Sequence, residues 1–307
     1  MKRQKLIIGS RGSKLALWQA NYIAGRLREA YPETEVVIEK MLTTGDKILD
    51  VPLAKIGGKG LFTKELEQAM LEKEIDLAVH SLKDMPTQLP EGLTLAAITE
   101  RVDAGDALVS NRYDSLQSLP QGAKVGTSSL RRRAQLLQHR PDLQIRDLRG
   151  NLDTRLRKLD EGEFDAIVLA SAGLKRLGWA ERIKEILPQE ICLPAVGQGA
   201  LAIEARSDDL EVLELLSFLN DENTRQAAEA ERSYLHQVEG GCQIPIGVYA
   251  QVKEGVLELE AAILSVDGCR QVRRSISGLA EQAAAIGAVL AQEMLEAGGR
   301  EILKEIL

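Results

Sequence analysis

Short apolar runs alternate with segments of helical periodicity through the first two thirds of the 307-residue chain. A strand, an amphipathic helix and a second strand make a βαβ unit, and repetition of this unit predicts a mostly parallel sheet covered by helices. The first round predicts strands at residues 5–9, 36–42 and 75–79, and a helix over 61–71 that turns Leu66, Ala69 and Met70 inward. The helix after the first strand should bury Leu15, Trp18, Tyr22, Ile23 and Leu27.

The same rhythm restarts near residue 123, with strands expected at 123–126, 143–148 and 164–170, and at 200–205 in a segment that returns to the first domain. After residue 220 a helix over 224–238 precedes consecutive strands joined by tight turns, and a long helix over 279–297 follows. That pattern predicts an antiparallel three-stranded sheet with helices on one face. We therefore expect an α/β fold of two similar α/β domains with a cleft between them (1–99 with 200–219, and 100–199) and a smaller C-terminal α+β domain (220–307).

Composition and charge exclude several classes of protein. No apolar run approaches the roughly 20 residues of a membrane span, and the basic N-terminus has too short an apolar part for a signal peptide. Three cysteines without a C-x-x-C pair indicate neither a disulfide framework nor a zinc site. A net charge of −7 argues against a general nucleic-acid binder. We expect a cytoplasmic, monomeric protein with no metal, nucleic-acid or membrane partner.

Positive charge is nevertheless concentrated in one part of the chain. Residues 131 to 157 contain eight arginines and three aspartates. On an acidic protein such a cluster of positive charge suggests a specific anionic ligand, although a solvated helix face would give the same number of arginines. Arg149 and Arg155 flank a helix start, and Arg176 follows the strand at 164–170, so these arginines should gather at the carboxyl ends of the strands, where α/β sheets bind ligands. Guanidinium groups hold carboxylates there bidentately.

Two turns between a strand and a helix carry hydroxyl and guanidinium groups together. One is Ser10-Arg11-Gly12-Ser13, and the other is Gly126-Thr127-Ser128-Ser129-Leu130-Arg131-Arg132. Free backbone N–H groups and the helix dipole make such turns anion sites. Taken alone, Ser10 or Ser13 is better explained as a plain helix N-cap.

Three further segments are candidates for chemistry. His80-Ser81-Leu82-Lys83-Asp84 follows a strand, so Ser81, Lys83 and Asp84 should face the cleft. Among so many cations the Asp84 carboxylate should stay ionised and could stabilise a cation or move a proton, unless it only pairs with Lys83 or caps the turn. Cys242 follows two glycines and is expected to be exposed as a nucleophile or attachment point, whereas Cys192 and Cys269 are expected to be buried. The glycine-bearing stretch 43–62 predicts a mobile lid, but the residue after Lys59 is not that of a nucleotide-binding loop.

Taken together, these segments resemble the porphobilinogen deaminase family over almost the full chain. The resemblance rests on residues 11–20, 55–62, 78–84, 125–132 and 148–151, and on Leu193-Pro194-Ala195-Val196-Gly197-Gln198-Gly199 and Gly240-Gly241-Cys242-Gln243-Ile244-Pro245. It implies two lobes like those of a periplasmic binding protein plus a third domain. It also implies a dipyrromethane cofactor joined to Cys242 by a thioether, to which the enzyme adds four porphobilinogen units, each with loss of ammonia, before the linear tetrapyrrole is hydrolysed off.

The resemblance also implies roles for individual residues. Asp84 would be the catalytic residue. Each pyrrole carries an acetate and a propionate, which cationic and hydroxyl side chains would bind. The cofactor would be held by Cys242, Ser81, Lys83, Thr127, Ser129, Arg131 and Arg132, the substrate by Arg11, Ser13, Gln19, Ser128, Arg149, Arg155, Arg176 and Gln198, and the lid would use Lys55, Lys59 and Phe62.

One segment departs from the family pattern and one rival function remains open. Where the family often has Asp-Pro-Arg-Asp between its first two domains, this chain has Asp103-Ala104-Gly105-Asp106, a hinge candidate. The rival is a non-catalytic, two-lobed anion-binding module, because a fold does not decide function.

Overall fold

The computed structural model describes residues 3–43, 63–238 and 244–306. Within it the chain forms two compact units, Met1–Arg101 with Ala200–Arg225, and Val102–Gly199 with Gln226–Leu307. The predicted second and third domains both fall in the second unit, and the three-domain boundaries stay a prediction.

The strands in chain order are β1 (Lys5–Arg11), β2 (Glu35–Met41), β3 (Leu77–Ser81), β4 (Leu93–Ile98), β5 (Asp106–Val109), β6 (Lys124–Gly126), β7 (Gln144–Arg146), β8 (Ala166–Ala170), β9 (Ile183–Ile186), β10 (Leu201–Arg206), β11 (Ile246–Lys253), β12 (Val256–Leu264) and β13 (Gln271–Leu279). The α-helices are α1 (Lys14–Ala30), α2 (Lys64–Leu71), α3 (Leu130–His139), α4 (Leu152–Asp160), α5 (Ser171–Arg176), α6 (Leu210–Leu216), α7 (Glu222–Gln237), α8 (Ala283–Met294) and α9 (Arg300–Lys304).

The first unit is built on a five-stranded sheet of order β2-β1-β3-β10-β4. β1 runs parallel to β2 and β3, but β10 is antiparallel to both β3 and β4. The expectation of a mostly parallel sheet is therefore wrong for half of its strand pairs. The chain leaves this unit after Arg101 and returns at Ala200, where β10 follows. β10 is therefore not joined to a neighbouring strand by the crossover helix that makes consecutive strands parallel.

Helix α1 covers this sheet with a face that only partly matches the predicted one: Ile23 and Leu27 are buried as expected, whereas Leu15, Trp18 and Tyr22 are not. Its buried residues are Ala16, Gln19, Ala20, Ile23, Ala24 and Leu27. Tyr22 is 41% exposed and its ring stacks on Trp18 at 5.4 Å between centroids. The face was misassigned because alanine contributes little hydrophobicity to a periodicity argument, yet its small side chain lets a helix approach a sheet closely.

The second unit contains a sheet with the same pattern, of order β7-β6-β8-β5-β9. β6 is parallel to β7 and β8, whereas β5 is antiparallel to β8 and β9. Strands β4, β5 and β9 had not been predicted. β5 and β9 are four residues each, too short for a periodicity signal.

The same unit also holds the antiparallel sheet β11-β12-β13, which confirms the predicted C-terminal architecture and the α/β plus α+β fold class. Its β12–β13 turn packs on α3. At Gly268, with φ of +74°, an added Cβ would lie 2.5 Å from the Ala134 carbonyl oxygen and 2.6 Å from the Gln138 nitrogen. The Gln138 amide also donates to Gln271 Oε1 at 2.8 Å. The turn can lie this close to the helix backbone only because residue 268 has no side chain.

Within the described ranges, no helix is both long enough and apolar enough to cross a membrane.

Candidate active site

The N-terminus of α1 follows directly from the end of β1 at Arg11. Ser13 is the N-cap residue, and its hydroxyl accepts a hydrogen bond from the Ala16 backbone N–H at 3.2 Å. The N-cap interpretation of Ser13 is therefore confirmed. The cap leaves further N–H groups of the first turn at the positive end of a 17-residue helix, next to the Arg11 side chain.

Asp84 lies on a short 3₁₀ turn, Leu82–Asp84, that continues β3. The Leu82 N–H donates to the Ala200 carbonyl at 3.1 Å, and the Leu82 side chain is 1% exposed, so the turn is anchored on β10's side of the sheet. Asp84 itself is exposed and makes no hydrogen bond or ion pair with another described residue. The alternative in which Asp84 pairs with Lys83 is thus not found, and none of the described residues occupies its carboxylate.

The two turns open on one cavity of the first unit. Gln19, 3% exposed, donates from Nε2 to Ser81 Oγ at 2.8 Å and so joins α1 to the end of β3. The cavity is lined by Arg11, Ser13, Leu15, Ala16, Gln19, Thr63, Val79, His80, Ser81 and Asp84. A guanidinium and a helix N-terminus at one side suit a carboxylate, and a free carboxylate at the other suits a positively charged or N–H-bearing group.

His80, Glu204 and Glu67 are buried ionisable side chains of the same unit. His80 Nε2 is 3.2 Å from Glu204 Oε2, and Glu204 is fully buried. Burial raises the pKa of Glu67; the nearby Thr63 hydroxyl opposes this rise, and the Glu204 carboxylate reinforces it. Sequence reasoning missed Glu204, although an acidic residue inside the apolar run 200–205 was a usable signal.

In the second unit, the hydroxyls before α3 are engaged with the backbone. Ser129 is the N-cap and accepts from the Arg132 N–H at 3.4 Å, and Thr127 Oγ1 accepts from the Ser129 N–H at 3.2 Å. Ser128 Oγ accepts from the Leu148 N–H and donates to the Leu148 carbonyl, both at 3.0 Å. Thr127 and Ser129 retain a hydroxyl proton for a ligand, whereas that of Ser128 is used within the protein.

Arg131 and Arg132 share a buried partner, Asp106. Arg131 Nη1 donates to Asp106 Oδ2 at 2.6 Å, and Arg132 donates to Oδ1 from Nη2 at 2.7 Å and from Nε at 3.0 Å. Burial by itself raises the pKa of Asp106, but the two guanidinium groups outweigh it and hold this pKa well below its usual range. Part of each guanidinium is therefore already bound within the protein, and only the remaining N–H groups are left for the predicted clamp.

The two described cysteines differ in environment. Cys192 is fully buried beside Asp106, with Sγ 3.3 Å from Oδ2, and burial together with that carboxylate raises the pKa of its thiol to about 12. Cys269 is exposed in the β12–β13 turn. The expectation that Cys269 is buried is wrong, because the Asp267-Gly268 turn places the next residue outside the hairpin.

The remaining substrate residues predicted in this unit have diverse surroundings. Arg149 is half-buried, and its Nη1 is a buried donor without a hydrogen-bond acceptor among the described residues. Arg155 Nε donates to the Gly150 carbonyl at 2.8 Å, and Arg176 Nη2 to the Gly199 carbonyl at 2.8 Å. Gln198 is 1% exposed and its amide donates to the Ala104 carbonyl at 2.6 Å.

Four predicted site residues lie outside the described residues: Cys242, Lys55, Lys59 and Phe62. Cofactor attachment and the lid therefore stay predictions. Among the residues that are described, no group of three or more His, Cys, Asp or Glu side chains is arranged to hold a metal ion.

Comparison with known proteins gives full-length matches. Residues 6–214 match the family described as "porphobilinogen deaminase, dipyromethane cofactor binding domain", and residues 225–296 match "porphobilinogen deaminase, C-terminal domain". A porphobilinogen deaminase of Desulforudis audaxviator is 54% identical over 99% of this chain and 98% of its own, and one of Geobacter sulfurreducens is 54% identical over 100% and 96%. Among solved structures, the methionine-binding protein MetQ aligns with a TM-score of 0.44 at 16% identity over 73% of this chain and 91% of its own.

Proposed function

The chain belongs to the porphobilinogen deaminase family, and we propose that it is a hydroxymethylbilane synthase. Its residues bind the carboxylates of pyrrole substrates and so position the pyrrole rings for condensation. It is a transferase of tetrapyrrole and haem biosynthesis. Four porphobilinogen units are joined in turn, each with release of ammonia, and the linear tetrapyrrole is then hydrolysed off.

The observation that carries the proposal is Asp84, which pairs with no other described residue, in a cavity that Arg11 and the N-terminus of α1 also line. As the amino group leaves, positive charge develops on the pyrrole nitrogen, and a fixed carboxylate stabilises it at no cost of reorganisation. The same carboxylate can take up the proton that leaves the pyrrole carbon when the new bond forms. Arg11 and the helix N–H groups bind a substrate carboxylate and so orient the ring toward Asp84.

In the second unit, the donor set fits a ligand with several carboxylates, such as a dipyrromethane. Arg149 Nη1 is buried and finds no acceptor in the described part of the chain, a costly state that a ligand oxygen would relieve. Thr127 and Ser129 each have a hydroxyl proton to donate. When bound, the dipyrromethane supplies the primer from which the chain grows. Cys242 would carry it, with Ser81, Lys83, Arg131 and Arg132 as its remaining ligands.

The substrate roles of Ser13, Gln19, Ser128, Arg155, Arg176 and Gln198, and the lid roles of Lys55, Lys59 and Phe62, are part of this proposal. Gln19 and Gln198 support the site through the protein, since their amides bind Ser81 and the Ala104 carbonyl. A monomeric state remains a prediction without structural support. A cytoplasmic location also remains a prediction, and cysteines without disulfide spacing support it.

The first test is the intact mass of the denatured protein, before and after incubation with porphobilinogen. An excess of two linked pyrrole units that is lost in Cys242→Ser supports the proposal, and no excess under either condition favours the non-catalytic anion-binding module. Asp84→Asn should keep the fold and the thermal stability, because the side chain is exposed and unpaired, and should lower turnover by about 10²- to 10⁴-fold. Asp114→Asn is the control at an exposed carboxylate: 87% of the Asp114 side chain is accessible, it pairs among the described residues with the surface Lys184 at 3.4 Å, and the variant should retain full turnover.

A further inference from the structure

Asp106 begins β5 in the segment that the sequence marked only as a hinge candidate. It is 0% exposed, and both of its carboxylate oxygens are fully engaged. Besides the two guanidinium groups, Gln198 Nε2 donates to Oδ1 at 3.0 Å and the Cys192 thiol lies 3.3 Å from Oδ2. Its orientation is thus fixed from several directions, which is unusual for a residue that merely allows a chain to bend.

We propose that Asp106 is the positioning residue of the arginine pair: it fixes which N–H groups of Arg131 and Arg132 stay available to ligand carboxylates. This inference rests on the proposed function, in which that pair binds the dipyrromethane. Asp106 acts through the arginines and does not itself touch a ligand.

The distribution of hydrogen bonds supports this role. Arg131 uses Nη1 for Asp106 and for the Leu193 carbonyl at 2.6 Å, which leaves its Nε and Nη2 without an acceptor among the described residues. Arg132 spends Nε and one proton of Nη2 on Asp106, and one proton of Nη1 on the Val168 carbonyl at 3.1 Å. A guanidinium carries five donors in a rigid plane, so fixing some of them fixes the direction of the rest.

Charge supports it as well. Two guanidinium groups face one carboxylate, so the cluster keeps a net positive charge that a ligand carboxylate can neutralise. A buried ion pair is often no more stable than apolar residues of the same volume, and so stability alone is a weak reason for burying three charges together. A requirement for defined donor directions is a better explanation.

The test compares Asp106→Asn, which keeps the shape but removes the charge, with Asp142→Asn. Asp142 accepts two hydrogen bonds from Arg140, both at 2.8 Å, in the same unit but outside the site, so its loss reports a purely structural Asp–Arg pair. Each variant is folded at low temperature, incubated with porphobilinogen, and measured by intact mass, by melting temperature and by crystallography. We expect both to melt lower, but only Asp106→Asn to lose loading, at least tenfold in the covalently modified fraction, with displaced guanidinium groups.

Asp106→Glu decides the question if Asp106→Asn does not fold, since it keeps the charge and moves the carboxylate by one methylene. The proposal predicts impaired loading in this variant as well. Wild-type loading in a folded Asp106→Asn or Asp106→Glu protein, or unmoved guanidinium groups in a crystal structure of Asp106→Asn, would overturn it. If the wild-type protein itself neither loads nor turns over, the proposed function fails, and the guanidinium positions in the variant still decide whether Asp106 positions the pair.

Discussion

Replacing Gly268 by alanine would measure how tightly the β12–β13 turn is packed on α3. The new methyl carbon would lie 2.5 Å from the Ala134 carbonyl oxygen and 2.6 Å from the Gln138 nitrogen. Both are backbone atoms of a helix and cannot rotate away. The turn must therefore shift from the helix, and it would strain the Gln138–Gln271 hydrogen bond as it does so.

Two effects add up to the expected loss of stability. A non-glycine residue held at a φ of +74° costs about 1 kcal/mol. Overpacking against rigid atoms costs a further ~1–3 kcal/mol. We expect a loss of about 3 kcal/mol in the free energy of unfolding, which for a unit of this size lowers the melting temperature by roughly 6–12 °C.

Gly255→Ala is the matched control, because Gly255 has nearly the same φ, +76°, in the other hairpin turn and has no atom within 4 Å of an added Cβ. It should show the backbone strain alone, about 1 kcal/mol. Calorimetry and urea titration of both variants give the difference. If the two losses agree within about 0.5 kcal/mol, the turn does not rest on α3 and the reasoning is refuted.

Three smaller predictions follow from the described contacts. The hydrogen bonds from Arg140 hold the pKa of Asp142 well below its usual range. The ionised carboxylate therefore stabilises the fold above the carboxyl pKa of the unfolded chain, and this stabilisation is lost as the pH falls toward the lowered pKa. The difference in melting temperature between wild type and Asp142→Asn should narrow from pH 7 to pH 2, and a constant difference would contradict this. Iodoacetamide at pH 8 should label Cys269 but not Cys192 in the native protein, as peptide mass spectrometry would show; rapid labelling of Cys192 would argue against its burial. Ser13→Ala should cost about 1 kcal/mol in chemical denaturation through loss of the α1 cap, and an unchanged midpoint would count against that cap.

The fold class could be predicted from periodicity because most of the longer helices and strands leave a signal, although the six-residue β4 did not. The returning strand at 200–205 and the three C-terminal strands are in the structure as β10 and β11–β13. Strand direction could not be predicted in the same way. β10 and β5 run antiparallel to their neighbours, and that property depends on where the chain re-enters each sheet rather than on its local residues.

In the candidate site, too, local features could be predicted from the sequence and long-range contacts could not. Motif position placed Asp84, Ser13 and the arginines at the ends of strands, where the structure has them. The ion pairs between residues far apart in the sequence could not be predicted. Asp106 and Arg131 are 25 residues apart, and no spacing rule links a residue at a supposed hinge to a guanidinium on the next helix. The same holds for the pairing of Glu204 with His80.

The position of β10 in the middle of its sheet has a consequence for synthesis on the ribosome. β3 and β4 do not touch each other; each is joined to β10, and the turn that carries Asp84 hydrogen-bonds to Ala200. A nascent chain of the first hundred residues therefore has an unfilled gap in its sheet, with the edges of β3 and β4 exposed to pairing with other chains. Translation must continue through about another hundred residues before the gap closes. Across that interval the growing polypeptide is a natural client for chaperones that shield unpaired strand edges.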